Sequence, residues 1–158
     1  GTGSISHTEK VPDFLPDRFE AGTLNLPGIA GLNAALTWLL SQPEGSIQAH
    51  ELKLTERFLR GMTEAEEEGL LRIIGKRGTE GRAGVVSIVP MQMDPAELAY
   101  QLDERYGIAT RVGLHCAPSA HRTLGTWPGG TVRFSFGVFN TESEIDEAVE
   151  AVGRILWS

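Results

Sequence analysis

Cysteine is nearly absent from this sequence: one residue, Cys116, in 158. A single thiol excludes an internal disulfide and cannot build a thiolate-rich zinc site. It suits a reducing compartment, and the cytoplasm is the expected location. Lysine is also scarce, with only Lys10, Lys53 and Lys76. Positive charge is outweighed, leaving a net charge of -7, and a general nucleic-acid binder would need a basic face instead. No apolar run approaches the ~20 residues that cross a bilayer, and no charged-then-apolar leader opens the chain. The opening Gly1-Thr2-Gly3-Ser4 lacks a Met. A cloning scar, a processed terminus and the interior of a longer protein are all open there, and the organisation below favours the last.

What is present describes a globular chain. At 41% hydrophobic and 22% charged residues it can form one ordinary domain with a real core. Residues 1–27 carry little periodicity and are punctuated by Pro12, Pro16, Gly22 and Pro27, which predicts an extended segment lying against something else. From Gly28 to Ser41 the residues Ile29, Leu32, Leu36, Leu39 and Leu40 fall at helical spacing. Ser46 is placed to cap a second helix, with Ile47, Leu54 and Phe58 on one stripe and Gly61 as its stop. Glu64 to Glu68 reads as a solvated helix start or turn.

Two strands are expected at 70–75 and 85–89, separated by a turn rich in glycine. Asp94-Pro95-Ala96-Glu97 then opens a helix that Gly107 closes. A third strand is expected over 108–113. A fourth spans 131–136, with Val132, Phe134 and Phe136 on one face and Thr131, Arg133 and Ser135 on the other. Thr141-Glu142-Ser143-Glu144 is a capping box for a last helix whose stripe is Ile145, Val149, Val152 and Leu156. The order ααββαββα predicts an α+β fold: roughly four antiparallel or mixed strands with helices packed on one face.

The chemistry concentrates between Thr110 and Asn140. That stretch holds Cys116, His115, His121, Arg111, Arg122 and Arg133. Reactive groups on a loop between two rigid strands are the usual layout of a site. Cys116 reads equally as a nucleophile beside basic residues or as a small packed residue. Arg133, mid-strand and opposite an apolar face, can grip a carboxylate bidentately or form a structural ion pair. His115 and His121 lack spaced partners for a metal, so no metal site is expected. Thr23, after Gly22 and before a helix start, could help hold an anion such as phosphate, although an ordinary turn explains it as well.

Several segments together resemble the C-terminal part of the cysteine desulfurase family of class V aminotransferases, the pyridoxal 5'-phosphate enzymes of fold type I. Gly1-Thr2-Gly3-Ser4 is similar to the end of the family's Gly-Gly-Thr-Gly-Ser segment. Phe19-Glu20-Ala21-Gly22-Thr23 is similar to Phe-Glu-x-Gly-Thr, and Arg111 to Ala117 to Arg-x-Gly-x-His-Cys-Ala. Val132-Arg133-Phe134-Ser135 and Asn140-Thr141-Glu142 resemble its Val-Arg-x-Ser and Asn-Thr-x-x-Glu motifs.

The resemblance implies that Cys116 attacks the sulfur of a cofactor-bound cysteine and becomes a persulfide. Arg133 would hold the substrate carboxylate, with Arg111 a second candidate near it. Thr23 would reach the cofactor phosphate across a homodimer interface, and His115 would shape the loop. L-cysteine is the implied substrate and a sulfur-acceptor protein the implied partner. None of the three lysines lies in the family's Schiff-base motif, which would precede Gly1. The resemblance therefore implies a piece, inactive alone: residues 1–27 as a tail of the large cofactor domain, and 28–158 as the small C-terminal domain with its connecting helix. A class V relative with transaminase or selenocysteine lyase chemistry, and a stand-alone interaction domain without enzymatic activity, are the competing expectations.

Overall fold

The structure, a computed structural model, describes residues 5, 7–20 and 22–158. Gly1–Ser4, and Ala21 within the Phe-Glu-x-Gly-Thr stretch, lie outside the described residues. The chain forms two compact units, Gly1–Pro43 and Glu44–Ser158.

The first unit is built around α1, Leu26–Ser41. Asn25 caps it, its side chain accepting from Gly28 N at 3.1 Å, and Pro27 sits in the first turn. The helix thus begins two residues before the expected Gly28. Ahead of it the chain turns at 14–19, where the Arg18 amide donates to Phe14 O and the Phe19 amide to Pro16 O. The apolar side chains of α1, Ile29, Leu32, Leu36 and Leu39 among them, are exposed.

The second unit runs through α2 (Ser46–Gly61), α3 (Thr63–Glu67), β1 (Leu71–Ile74), β2 (Val85–Pro90), α4 (Pro95–Tyr106), β3 (Arg111–Gly113), α5 (Pro118–Leu124), β4 (Thr131–Ser135) and α6 (Glu142–Leu156). Among the described residues the strands form one antiparallel sheet in the order β1-β2-β4-β3. The expected α+β architecture is therefore the observed one.

Local chemistry explains most boundaries. Asp94 accepts from the Ala96 amide at 2.8 Å and starts α4, while Gly107 at φ 65 ends it in the left-handed conformation that glycine tolerates. The capping box at Thr141 is complete: Glu144 N donates to Thr141 Oγ1, and Thr141 N donates to Glu144 Oε2 at 2.7 Å. Ser46 does not cap α2. It is the first helical residue, and Gly45, in the left-handed conformation at φ 74 that glycine tolerates, holds the cap position.

One face of the sheet makes the core. Val86, Ile88 and Val132 are fully buried against Leu54, Phe58, Leu98, Leu102 and Val152 from α2, α4 and α6. Phe58 packs its ring 4.6 Å from Phe134 and 5.3 Å from Phe136. Each such side chain contributes roughly 1.5–3 kcal/mol by burial. On the outside, Arg57 of α2 clamps Asp146 and Glu142 of α6 at 2.5 and 2.7 Å, and Lys53 joins at Glu142. The hydrogen bond from Arg57 holds the Asp146 carboxyl below its usual range.

The opposite face is where the site lies, and one close approach shapes it. A Cβ on Gly130 would stand 2.5 Å from the carbonyl carbon and oxygen of Gly113, and Gly130 has φ 78. Gly130→Ala is expected to destabilise the fold by at least about 2 kcal/mol, since it forces both a clash and a left-handed alanine. Thermal denaturation checks this; an unchanged melting temperature would mean that β3 and β4 can part at no cost.

Candidate active site

Strand register assembles the site. Arg133 on β4 is paired with Ser87 of β2 on one side and with Arg111 of β3 on the other. Directly paired residues of an antiparallel sheet share a face, so two guanidinium groups stand together on the side away from the core. Like charges so placed repel unless an anion comes between them. Among the described residues neither arginine pairs with a carboxylate. Among the described residues the buried Nε of Arg133 has no hydrogen-bond partner. A half-buried guanidinium fork beside a second cation is an arrangement that can bind an anion.

Cys116 completes the group. It is exposed, not packed in the core. Arg111 Nη2 lies 3.9 Å from its Sγ. The thiol is carried by two consecutive left-handed residues, His115 at φ 48 and Cys116 at φ 59, which follow Gly113 at φ 105. Such conformations cost about 1–2 kcal/mol for each non-glycine residue, and they persist only where the surroundings hold them.

Here the hold comes from His115, whose Nε2 lies 2.9 Å from Thr131 Oγ1. Burial pushes the His115 imidazole below its ordinary value of 6.5, and the charges of Arg133, His121 and Arg111 push the same way, against the contact with Thr131. Burial and these charges all disfavour a third positive charge beside the pair of arginines.

The loop after Cys116 was expected to be irregular up to β4, but Pro118–Leu124 forms the short helix α5. Proline at the first helical position starts a helix as readily as it breaks one. α5 buries His121, whose Nδ1 lies 2.7 Å from Thr126 Oγ1 and whose ring centroid is 5.7 Å from that of His115. Arg72, on the face away from the core, donates to Gly125 O at 3.2 Å. α5 thus belongs to the site's side of the sheet, an exception to the expected placement of helices on one face. Arg122 lies over the Trp127 ring at 4.6 Å.

The structure thus brings together Cys116, Arg111 and Arg133, the expected nucleophile and carboxylate grip. Thr23 is an exposed residue of the first unit, three positions before α1. Thr131, Thr126 and the positive φ of His115 and Cys116 escaped the sequence reading. Only the placement of Thr131 on the Arg133 face was visible there.

A pyridoxal cofactor would need a lysine beside the thiol. Within the second unit, Lys53 is engaged with Glu142 on the helical side and Lys76 donates to Glu80 O in the β1–β2 turn. Among the described residues no cluster of three or more His, Cys, Asp or Glu could hold a metal ion. No helix is long and apolar enough to cross a membrane.

Comparison with known proteins gives one consistent picture. The family model described as Aminotransferase class-V matches residues 2–148. The chain is 36% identical over 155 residues to Probable cysteine desulfurase 2 of Mycobacterium leprae (strain TN), covering 98% of this chain and 35% of that protein. It is 32% identical over 161 residues to Cysteine desulfurase CsdA of Escherichia coli (strain K12), covering 99% of this chain and 37% of that protein. The fold superposes on the apo cysteine desulfurase from Thermococcus onnurineus NA1 with a TM-score of 0.78 at 34% identity, over 90% of this chain and 34% of that one. The chain spans about a third of the length of the curated relatives it matches.

Proposed function

This chain belongs to the aminotransferase class-V family, and on that footing we propose that it is the sulfur-handling C-terminal third of a cysteine desulfurase. Residues 1–27 are the tail of a large cofactor domain, and 28–158 are the connecting helix and small domain. The observation that carries the reading is the exposed thiol of Cys116 held 3.9 Å from Arg111, with the unpaired Arg133 opposite Arg111 on the next strand.

Arg133 grips the carboxylate of L-cysteine with its open fork, and Arg111 adds a second positive charge. This orients the substrate sulfur toward the Cys116 loop. The Cys116 thiolate attacks that sulfur: an S–S bond forms, the substrate Cβ–S bond breaks, and the electron pair left on carbon takes up a proton to give alanine. Attack on sulfur suits a soft thiolate better than an oxygen nucleophile. In the intact parent, pyridoxal 5'-phosphate would supply the electron sink for the breaking bond, with Thr23 the residue of this chain that would meet its phosphate. The persulfide then passes its sulfur to an acceptor protein.

The exposure of Cys116 fits a thiol that must meet two partners in turn. Thr23 contributes its hydroxyl to the cofactor phosphate across a homodimer interface, in the cytoplasm. The 158 residues alone are inactive. The test is alanine release: the intact parent, supplied with L-cysteine and cofactor, is expected to form one alanine for each sulfur delivered. A parent that turns over L-cysteine to other products, with no alanine, would contradict the reading.

A further inference from the structure

We propose that Thr131 is a positioning residue that fixes Cys116 at a set distance from Arg133, an inference that rests on the desulfurase reading of this site. Thr131 and Arg133 are two residues apart on β4 and share its outer face, so they stand about 7 Å apart on one rigid element. Thr131 is 2% exposed, and its hydroxyl lies 2.9 Å from His115 Nε2. His115 is the residue before the thiol. This side-chain contact, beside the backbone of the same residue, therefore ties the strand that carries the carboxylate grip to the loop that carries the nucleophile.

The loop needs such a tie. His115 and Cys116 both occupy the left-handed region, which residues with a Cβ avoid. Among the described residues the buried Nδ1 of His115 has no partner, so Nε2 is the ring nitrogen that anchors the side chain. On its far side the ring meets His121, itself pinned to Thr126. Below it, the tight crossing of Gly130 and Gly113 sets the separation of the β3 end and the β4 start. Packing and backbone approach thus position the imidazole, and the Thr131 hydroxyl fixes its orientation.

The experiment uses the full-length parent with Thr131→Val and Thr131→Ser. Valine keeps the shape and the strand preference but loses the hydroxyl; serine keeps the hydroxyl. Two readouts are taken. The first is amide hydrogen exchange at Ala117, whose N–H donates to Leu114 O at 2.8 Å and reports opening of the loop without any turnover. Exchange in Thr131→Val is expected to quicken by about tenfold, the effect of losing one buried hydrogen bond. The second is steady-state kinetics with L-cysteine: kcat is expected to fall about tenfold as the thiol strays, with KM unchanged because Arg133 is untouched.

Thr131→Ser should match wild type in both. Wild-type exchange and kcat in Thr131→Val, or a serine variant as impaired as valine, would overturn the proposal. If Thr131→Val does not fold, His115→Phe, which keeps a ring and loses both nitrogens, must raise Ala117 exchange or the proposal fails. Faster exchange in a parent that never forms alanine would sustain the positioning role and sink the desulfurase reading.

Discussion

Replacing Cys116 by alanine is expected to lower alanine release from L-cysteine in the intact parent by at least about a thousandfold, the scale on which loss of a nucleophile is felt. No second cysteine exists in the sequence to take its place. Cys116→Ser should do no better than alanine, because a hydroxyl is a poor partner for divalent sulfur. Stability should hardly move. The side chain is exposed and among the described residues its polar contact is the 3.9 Å approach of Arg111, so the change in folding free energy should stay within about 0.5 kcal/mol. Equal melting temperatures alongside lost sulfur transfer separate a chemical role from a structural one. A Cys116→Ala parent that transfers sulfur at the wild-type rate would remove the nucleophile.

Arg133→Ala is expected to reduce kcat/KM for L-cysteine about a hundredfold or more, chiefly through KM. A charge-assisted hydrogen bond to a carboxylate is worth about 1.5–3 kcal/mol, and a fork can supply two. The same substitution should leave the fold as stable or slightly more so. Nothing among the described residues satisfies the buried Nε, and its neighbour across the strand is another arginine. Removing Arg133 therefore breaks no ion pair and relieves a repulsion. Arg133→Lys should recover only part of the loss, since an ammonium cannot reproduce the planar fork. Initial-rate kinetics over a range of L-cysteine concentrations checks the expectation; an unchanged KM would detach Arg133 from substrate binding. This pattern, activity lost and stability kept, marks a residue that the fold holds in readiness at its own expense.

The sequence made legible those parts of the fold that short-range chemistry dictates. Asp94 with Pro95, Gly107 and the Thr141–Glu144 box each specify a helix end within four residues. The alternation from Thr131 to Ser135 separates core from site on a single strand. Cys116 is legible as the single cysteine with basic residues near it in sequence, and Arg133 as a charged residue mid-strand opposite an apolar face.

What stayed hidden depends on partners far along the chain. The pairing of Arg111 with Arg133, 22 positions apart, exists only once β3 and β4 are in register. The bond from Thr131 to His115 follows from the same register and from two left-handed residues that no propensity favours. α5 is seven residues long, too short for a stripe to show, and the proline that starts it resembles a breaker. Ser46 misled because a serine before a helical stripe is the commoner cap, whereas here the turn itself demands glycine.

The most direct measurement is the mass of the peptide that carries Cys116, taken after the intact parent has met L-cysteine and its thiols have been alkylated. The account predicts one additional sulfur atom on that peptide, absent when L-cysteine is withheld and released by a reducing agent. Alanine formed at full rate while that peptide never gains sulfur would contradict it.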